Sequence, residues 1–457
     1  MSPLHGRFKN IHMVGIGGSG MRGLAEVLLS MGYRVSGSDT GAGTDLESLK
    51  GAGAAVSREH AAENLGDADV VVVSSAIGGS NPEVRAARAL GVPVVPRAEM
   101  LAELMKMKLG VSVMGSHGKT TTTSMIASVL TGGGFDPTIV VGGKVVALGS
   151  GRFGGGDIMV VEADESDGSF SRLRPVVSVL TNIDSEHLDH YGTVEALRDG
   201  FFEFLERAPF YGVAVLGIDC PRVRGMAGRL SGKFVTYGAR PEADFRLRNV
   251  RTRGFETTFD VLRKGEKLGR ARLPLAGRHN AVNSLAAVAV ATEMGMAFDD
   301  IARALESFAG IERRMQLKDE VGGVKFIDDY GHHPEEIRVT LDSVEDAFSS
   351  QPVVVFQPHR FTRTSLLLDG FVEVLSRVSR LYVLDVFPAG EEPIEGATSE
   401  EIVRRVRAAG GAGAVYAPCE RDLVRRLKNE LAGGDIVLTL GAGNVWRCAE
   451  ALAEELR

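Results

Sequence analysis

Val111-Ser112-Val113-Met114-Gly115-Ser116-His117-Gly118-Lys119-Thr120-Thr121 is the stretch on which the reading of this chain turns. The apolar run Val111–Met114 predicts a buried strand, Gly115–Gly118 a tight turn, and the Thr-, Ser- and Ala-rich segment Thr120–Leu130 a helix. A glycine-rich turn that enters a helix aims backbone N–H groups, and the positive end of the helix, at phosphate oxygens. Lys119 is then placed to reach β- and γ-phosphates, and the Thr120 hydroxyl to ligate Mg²⁺. The whole turn, Gly115, Ser116, His117, Gly118, Lys119, Thr120 and Thr121, reads as a Mg-ATP site. The full phosphate-loop pattern has a glycine where Val113 stands, so this is a shortened variant.

Working outward, the next strand, Ile158–Val161, runs into Glu162-Ala163-Asp164-Glu165-Ser166-Asp167. Carboxylates just past the end of a parallel strand lie at the edge where α/β sheets bind ligands. Mg²⁺ takes oxygen ligands, commonly one or two carboxylates beside phosphates and water, so one of these acids is a natural companion to Thr120. The strand Val176–Thr181 leads into Asn182-Ile183-Asp184-Ser185-Glu186-His187-Leu188-Asp189-His190, whose mixture of acids and histidines suggests a second cation site. Alone, each acidic cluster reads equally well as a solvated loop; beside an ATP loop the site reading is favoured.

A second glycine-rich turn stands near the start of the sequence. Val14-Gly15-Ile16-Gly17-Gly18-Ser19-Gly20 follows the strand Ile11–Val14 and precedes the helix Met21–Ser30; Gly15, Gly17 and Gly20 fit GxGxxG. Asp39, after the strand Tyr33–Ser38, stands where a ribose-binding acid is expected. On these residues alone NAD is the first guess, and an NAD-dependent oxidoreductase or a nucleotide-binding regulator without turnover stays open. A nucleotide-linked substrate held here, with ATP on the central loop, accounts for both turns.

Strand–helix alternation continues through Val70–Ser74, Val353–Gln357, Leu381–Val386 and Asp435–Leu440, which predicts doubly wound α/β domains. The segment Lys233–Leu275 differs: its alternating residues predict a small antiparallel sheet beside the central parallel one. The 457 residues exceed what one core usually supports. Three domains are expected, residues 1–108 and 317–457 Rossmann-like and 109–316 an ATPase domain of phosphate-loop type. A net charge of -7 without a basic stripe argues against nucleic acid as a partner. Cys220, Cys419 and Cys448 lie far apart and form neither a disulfide framework nor a zinc site by themselves. With no signal peptide and no run long enough to enter a membrane, a cytoplasmic protein is expected.

The remaining motifs are Gly277-Arg278-His279-Asn280-Ala281-Val282-Asn283, Ile311-Glu312-Arg313-Arg314, Asp328-Asp329-Tyr330-Gly331-His332-His333-Pro334 and Pro358-His359-Arg360-Phe361-Thr362-Arg363. Arginines and histidines clustered at element ends suggest anion handling, because guanidinium forks fit carboxylate and phosphate. Taken in order, GxxGKTT, EADESD, NxxxxHxD, GxHNxxN, GxxRR, DDYGHHP and PHRxTR resemble the Mur ligases of peptidoglycan synthesis over essentially the whole chain. Ser74-Ser75-Ala76-Ile77, Asn81-Pro82-Glu83 and Glu391-Glu392-Pro393-Ile394 add to the likeness.

The resemblance implies an ATP-dependent joining of L-alanine to the lactyl carboxylate of UDP-N-acetylmuramate, through an acyl phosphate. It implies a UDP-sugar site at Gly15, Gly17, Gly18, Ser19, Gly20, Asp39, Ser74 and Ser75. Lys119 would hold the γ-phosphate; Thr120 with Glu162 would hold one Mg²⁺ and His187 a second. Asn280 and Asn283 would meet the adenine region, and Arg314 with Asp328 the phosphate and ribose side. Tyr330, His332, His359, Arg360 and Arg363 would form the amino-acid pocket and steady the acyl intermediate, and His187 or His332 would take the amine proton. The enzyme is expected to act as a monomer or weak homodimer. The nearest alternative within the family is the recycling ligase that adds a whole tripeptide to the same sugar nucleotide; Tyr330-Gly331 before the paired histidines favours the single amino acid. A folate polyglutamate ligase would share the central chemistry without needing the N-terminal glycine-rich domain. Many Mur ligases carry a carbamylated lysine after the HxD motif, whereas Leu188–Glu206 contains no lysine.

Overall fold

A computed structural model describes residues 8–41, 46–165, 168–184 and 188–457. The chain forms two compact units. One holds the chain up to Asn249 with Phe259–Arg272 and Ala281–Ala309; the other holds Val250–Thr258, Leu273–Asn280 and Gly310–Arg457.

The first unit begins with a five-stranded parallel sheet in the order Ala55–Ser57, Arg34–Ser38, Asn10–Val14, Val70–Val73, Val94–Pro96. The β-branched residues of its central strands Asn10–Val14 and Val70–Val73 are mostly buried, as in parallel sheets covered on both faces. Strand order reverses between Asn10–Val14 and Val70–Val73, and the Gly15 turn and Ser74 stand at that switch point, where open α/β sheets bind ligands. The helix after the turn runs over Ser19–Ser30, two residues earlier than the sequence pattern predicted.

The central sheet has ten strands. Thr138–Val145, Ile158–Glu162, Leu109–Met114, Val177–Leu180, Val213–Gly217 and Phe234–Gly238 run parallel in that order, with Gly149–Arg152 antiparallel at the edge beside Thr138–Val145. Phe245–Arg253, Glu256–Arg263 and Glu266–Leu273 extend the same sheet. These are the strands read from the alternation in Lys233–Leu275. The parallel pairing of Tyr237 with Phe245 joins them to the main sheet, so they are not a sheet apart. Lys264 and Gly265 both have positive φ, the geometry of the tight turn that joins two hairpin strands.

The helix Lys119–Gly132 contains four successive threonines, poor helix formers. Thr123, Ser124 and Thr131 donate their hydroxyls to the carbonyls of Lys119, Thr120 and Ala127, which satisfies them inside the buried helix. Helix Ser19–Ser30 lies on the strands Thr138–Val145 and Gly149–Arg152. Gly23 and Gly151 permit this approach: a Cβ on Gly151 would lie 1.9 Å from the Gly23 carbonyl oxygen. Glu26 accepts the Gly151 N–H at 2.8 Å in the same contact.

The second unit carries a six-stranded sheet in the order Gln316–Val321, Val324–Asp329, Ile436–Leu440, Val353–Phe356, Arg380–Val383, Ala414–Tyr416. Only the Gln316–Val321 edge is antiparallel. Val324–Asp329 and Val353–Phe356 flank the same strand, so the segments that follow them leave the sheet at one edge. Among the described residues no helix is long and apolar enough to cross a membrane.

Candidate functional site

The central loop is built by its glycines and by the strand beside it. Gly115 has φ +129°, and a Cβ there would lie 2.2 Å from the Thr181 hydroxyl, so only glycine fits. Gly118 caps the following helix in the left-handed region, with the Asn283 amide 3.0 Å from where a Cβ would stand. Asn182 clamps the turn from the next strand: its Oδ1 accepts the His117 N–H at 2.8 Å and its Nδ2 donates to the His117 carbonyl at 3.0 Å. His117 Nε2 lies 3.1 Å from Asp184. The Asp184 N–H in turn donates to the Ser116 hydroxyl at 2.8 Å.

Lys119 curls over this turn. Its ammonium donates to the carbonyls of Gly115 and Ser116, at 2.6 and 3.0 Å, and to the Glu165 carboxylate at 2.7 Å. The Thr120 hydroxyl donates to Glu162 Oε1 at 3.0 Å, and the Gly142 N–H to Glu162 Oε2 at 2.9 Å. Loss of water around Glu162 pushes its carboxyl above the ordinary carboxylate range; the charge of Lys119 is the largest opposing influence. A hydroxyl and a carboxylate that welcomes positive charge form a hard-oxygen donor pair, which fits Mg²⁺. His187, the expected second metal ligand, lies outside the described residues.

The N-terminal turn is fastened by the residue that follows strand Arg34–Ser38. Asp39 engages the chain itself: its two carboxylate oxygens accept the N–H groups of Gly17 and Gly41, each at 2.8 Å. Asp39 therefore anchors the glycine turn, with Gly15 and Ile16 donating to the Ser38 carbonyl beside it. The backbone of Ser19 and Gly20 opens the helix, while Gly18 and Ser75 are exposed. Ser74 packs on Gly15, its Cβ 3.0 Å from where a Gly15 Cβ would be. A cavity of about 160 Å³ beside the turn is lined by Ser74, Ser75, Ile77, Arg97 and Ser169, among others.

In the second unit the expected pocket residues converge. The Tyr330 and His332 rings meet edge to face at 5.4 Å, and His332 and His359 lie 6.2 Å apart. Arg363 Nη1 is 3.2 Å from His359 Nδ1, and Phe387 stacks on the His359 ring. Arg360 sits at φ +69° and donates its N–H to the Phe387 carbonyl. Glu391 accepts the Thr362 N–H and hydroxyl at 3.0 and 2.8 Å, fixing the start of the helix that carries Arg363. Burial lowers the pKa of His332 to about 4, with Glu336 opposing and Arg363 reinforcing. Burial and then the charge of Arg363 take His359 to about 3. Both rings are neutral at neutral pH.

Asp328 and Asn280, both expected near the nucleotide, have partners within the fold. Asp328 is held by its neighbours in the fold: Arg313 Nε donates to it at 3.0 Å, and Thr439 donates from the other side at 2.6 Å. Arg314 faces the Tyr330 ring and lies 3.6 Å from Glu336. The two asparagines of the GxHNxxN segment part ways. Asn280 is buried and donates its amide to the Ala276 carbonyl at 2.7 Å, whereas Asn283 stands at Gly118.

Three family models match the chain in succession. Residues 10–109 match the family model described as Mur ligase family, catalytic domain; 113–291 match the Mur ligase middle domain; 313–443 match the Mur ligase, glutamate ligase domain. The chain is 48% identical to the UDP-N-acetylmuramate–L-alanine ligase of Geotalea daltonii, over 99% of each chain. The chain belongs to the Mur ligase family. It is likewise 49% identical to the enzyme of that name from Sorangium cellulosum, over 99% of this chain and 97% of that one. The crystal structure of the UDP-N-acetylmuramate–alanine ligase of Thermotoga maritima superposes with a TM-score of 0.84 at 28% identity, covering 97% and 98% of the two chains. A murein peptide ligase from Psychrobacter arcticus shares the fold, with a TM-score of 0.72 at 23% identity.

Glu165, Arg313, Glu336 and Arg97, to which the sequence reading gave no role, hold contacts at these places. Glu165 was visible as one acid among four; what singles it out is that it is fully buried and paired with Lys119. Glu336 was legible only as a helix-capping glutamate, three residues after His333. Its carboxylate accepts the N–H groups of His332 and His333 and so orients the pocket histidine. Arg97 carries no motif of its own.

Proposed function

We propose that this Mur ligase joins L-alanine to the lactyl carboxylate of UDP-N-acetylmuramate, with ATP cleaved to ADP and phosphate. The observation that carries the reading is the convergence of Lys119, Glu165, Thr120 and Glu162 on one glycine turn, in a chain collinear with ligases of that name over its full length. We assign the sugar nucleotide to residues 1–108, ATP to 109–316 and the amino acid to 317–457.

In the first step a lactyl carboxylate oxygen attacks the γ-phosphorus in line, the bond to the β-phosphate oxygen breaks, and ADP leaves. Lys119 moves from Glu165 to the γ-phosphate, and the N–H groups of the Gly115–Thr121 turn hold the neighbouring phosphate oxygens. Thr120 and Glu162 would hold Mg²⁺, which supplies positive charge to the transferring phosphoryl group. Asn283 borders the adenine region. Asn280 and Asp39 act through the backbone they fasten, and Asp328 with Arg313 shapes the turn on which Arg314 and Tyr330 are presented.

In the second step the alanine amine attacks the acyl carbon and phosphate leaves. Arg363 and Arg360 receive the amino-acid carboxylate and the developing oxyanion, since guanidinium donors are strongest where charge develops in a dry site. His332 and His359, being neutral, add no competing charge and leave a ring nitrogen for the amine proton; His187 remains the other candidate. The test is phosphate release with ATP, UDP-N-acetylmuramate and a panel of L-alanine, glycine, L-serine and the cell-wall tripeptide. Release with L-alanine at far lower concentration than with the others is expected. Release with the tripeptide alone would overturn the assignment.

A further inference from the structure

We propose that Arg97 is a substrate-binding residue whose guanidinium receives an anionic group of the sugar nucleotide, in a position that Asp164 holds until the ligand arrives. The inference rests on the reading of the N-terminal glycine turn as a sugar-nucleotide site.

Arg97 opens the helix Arg97–Met105 directly after the strand Val94–Pro96, at the sheet edge where the Gly15 turn and Ser74 also stand. Its side chain lies flat against Gly20: a Cβ there would be 2.8 Å from Nη1, 3.0 Å from Cζ and 3.3 Å from Nε. The absence of a side chain at residue 20 thus makes room for the guanidinium, a reason for that glycine separate from turn geometry. The same guanidinium lines the cavity of about 160 Å³ with Ser74, Ser75 and Ser169, whose hydroxyls offer neutral hydrogen-bonding groups.

Its side-chain partner is weak for so enclosed a cation. The Arg97 side chain is 17% exposed, yet among the described residues it is paired through a single contact, 3.2 Å from Nη2 to Asp164 Oδ2, with an aspartate 42% exposed. A guanidinium has five N–H donors in a planar fork, and a carboxylate or phosphate takes two of them at once. An incoming anion that engages the fork from the cavity replaces a one-point contact by a two-point one. Asp164 stands between Glu162 and Glu165, and its negative charge is one of the influences that raise the Glu162 pKa. Occupancy at Arg97 is therefore felt beside the ATP loop as a change in charge pairing.

The anion is either the diphosphate or the lactyl carboxylate, and three probes separate them. Calorimetric titration without ATP would use UDP, UDP-N-acetylglucosamine and UDP-N-acetylmuramate against the full chain, Arg97→Met, Arg97→Lys and Asp164→Asn, each checked for folding by circular dichroism. Arg97→Met should weaken UDP-N-acetylmuramate roughly 10- to 100-fold, the scale of a charge-assisted pair, with partial recovery in Arg97→Lys. An equal loss for all three probes identifies the diphosphate; a loss confined to UDP-N-acetylmuramate identifies the carboxylate. Asp164→Asn should bind at least as tightly as the unaltered chain. Unchanged binding in Arg97→Met overturns the proposal, as does an equal loss in Asp164→Asn, which would make the pair a tie between two parts of the fold. An unaltered chain that binds none of the probes overturns the sugar-nucleotide reading itself, and this proposal with it.

Discussion

Lys119 and Glu165 form an ion pair at 2.7 Å in which the carboxylate is fully buried and the ammonium nearly so. Lys119 therefore has a resident counter-charge, and on the proposed reading nucleotide binding would be an exchange of partners. A buried pair of this kind is costly to break on one side only, because the remaining charge is stranded.

Lys119→Ala should lower phosphate release by roughly 10²- to 10³-fold or more, the scale of removing one transition-state donor. Sugar-nucleotide binding, measured separately by calorimetry, should stay nearly unchanged. An equal loss of sugar-nucleotide binding in a folded variant would mean that the two glycine turns do not divide the work as assigned. Glu165→Gln should retain more activity than Lys119→Ala, since it frees the lysine instead of removing it.

Glu162 predicts a linkage between magnesium and pH. Its carboxyl is raised above the ordinary range by desolvation, so a cation and a proton compete for the same group. The magnesium concentration for half-maximal turnover should rise as pH falls through the weakly acidic range. Glu162→Gln should raise that concentration at every pH and flatten its pH dependence. A pH dependence as steep in Glu162→Gln as in the unaltered chain would assign the competition to another group.

Much of this site was legible because its parts are local. The Gly115–Thr121 turn, the acids after Ile158–Val161 and the order of the later motifs are contiguous strings, and each was read onto the correct element. What escaped depends on side chains that meet across long separations. Arg313, at φ +61°, holds Asp328 and also donates to the carbonyls of Gly441 and Gly443, more than a hundred residues away. Asp39 stands where the pattern expects a ribose-binding acid, and the contacts its oxygens accept from Gly17 and Gly41 have no sequence signature. The antiparallel strands were visible in the alternation, but their join to the central sheet depends on the short Tyr237–Phe245 pairing, which has no sequence signature.

Arg313 and Arg314 should separate stability from turnover. Asp328 is fully buried, and burial already pushes its pKa up against the pull of Arg313. Arg313→Ala strands that carboxyl and should cost about 3–5 kcal/mol in urea unfolding, less whatever protonation of Asp328 recovers. Arg314→Ala leaves Asp328 paired and removes a group facing Tyr330 and Glu336. It should alter turnover while shifting the urea midpoint little; the reverse ranking of the two variants in stability would contradict the pairing.

The neutral histidines of the second unit set the sign of the last prediction. An ordinary histidine titrates near 6.5, whereas burial holds His332 and His279 at about 4 and His359 at about 3. Between those values the unfolded chain takes up protons that the folded chain refuses, so these groups make stability fall as pH drops from about 6.5 toward 4. Asp328 and Asp329 act in the opposite direction, because burial raises their pKa and the folded chain takes up their protons first. Glu83 contributes below this window, since its carboxyl, desolvated but held by hydrogen bonds from Ser38 and Asn64 and by His12 3.7 Å away, titrates at about 2. The contrast between variants therefore isolates the histidines better than the raw profile does. Thermal unfolding of the unaltered chain and of the double variant His332→Asn with His359→Asn should be compared from pH 7.5 to pH 5, roughly the range over which an unperturbed imidazole gains its proton. The double variant should lose less of its melting temperature across that range. An equal loss in both proteins would show that the two rings accept protons in the folded state, and that the neutral pair proposed for the amine step is not neutral.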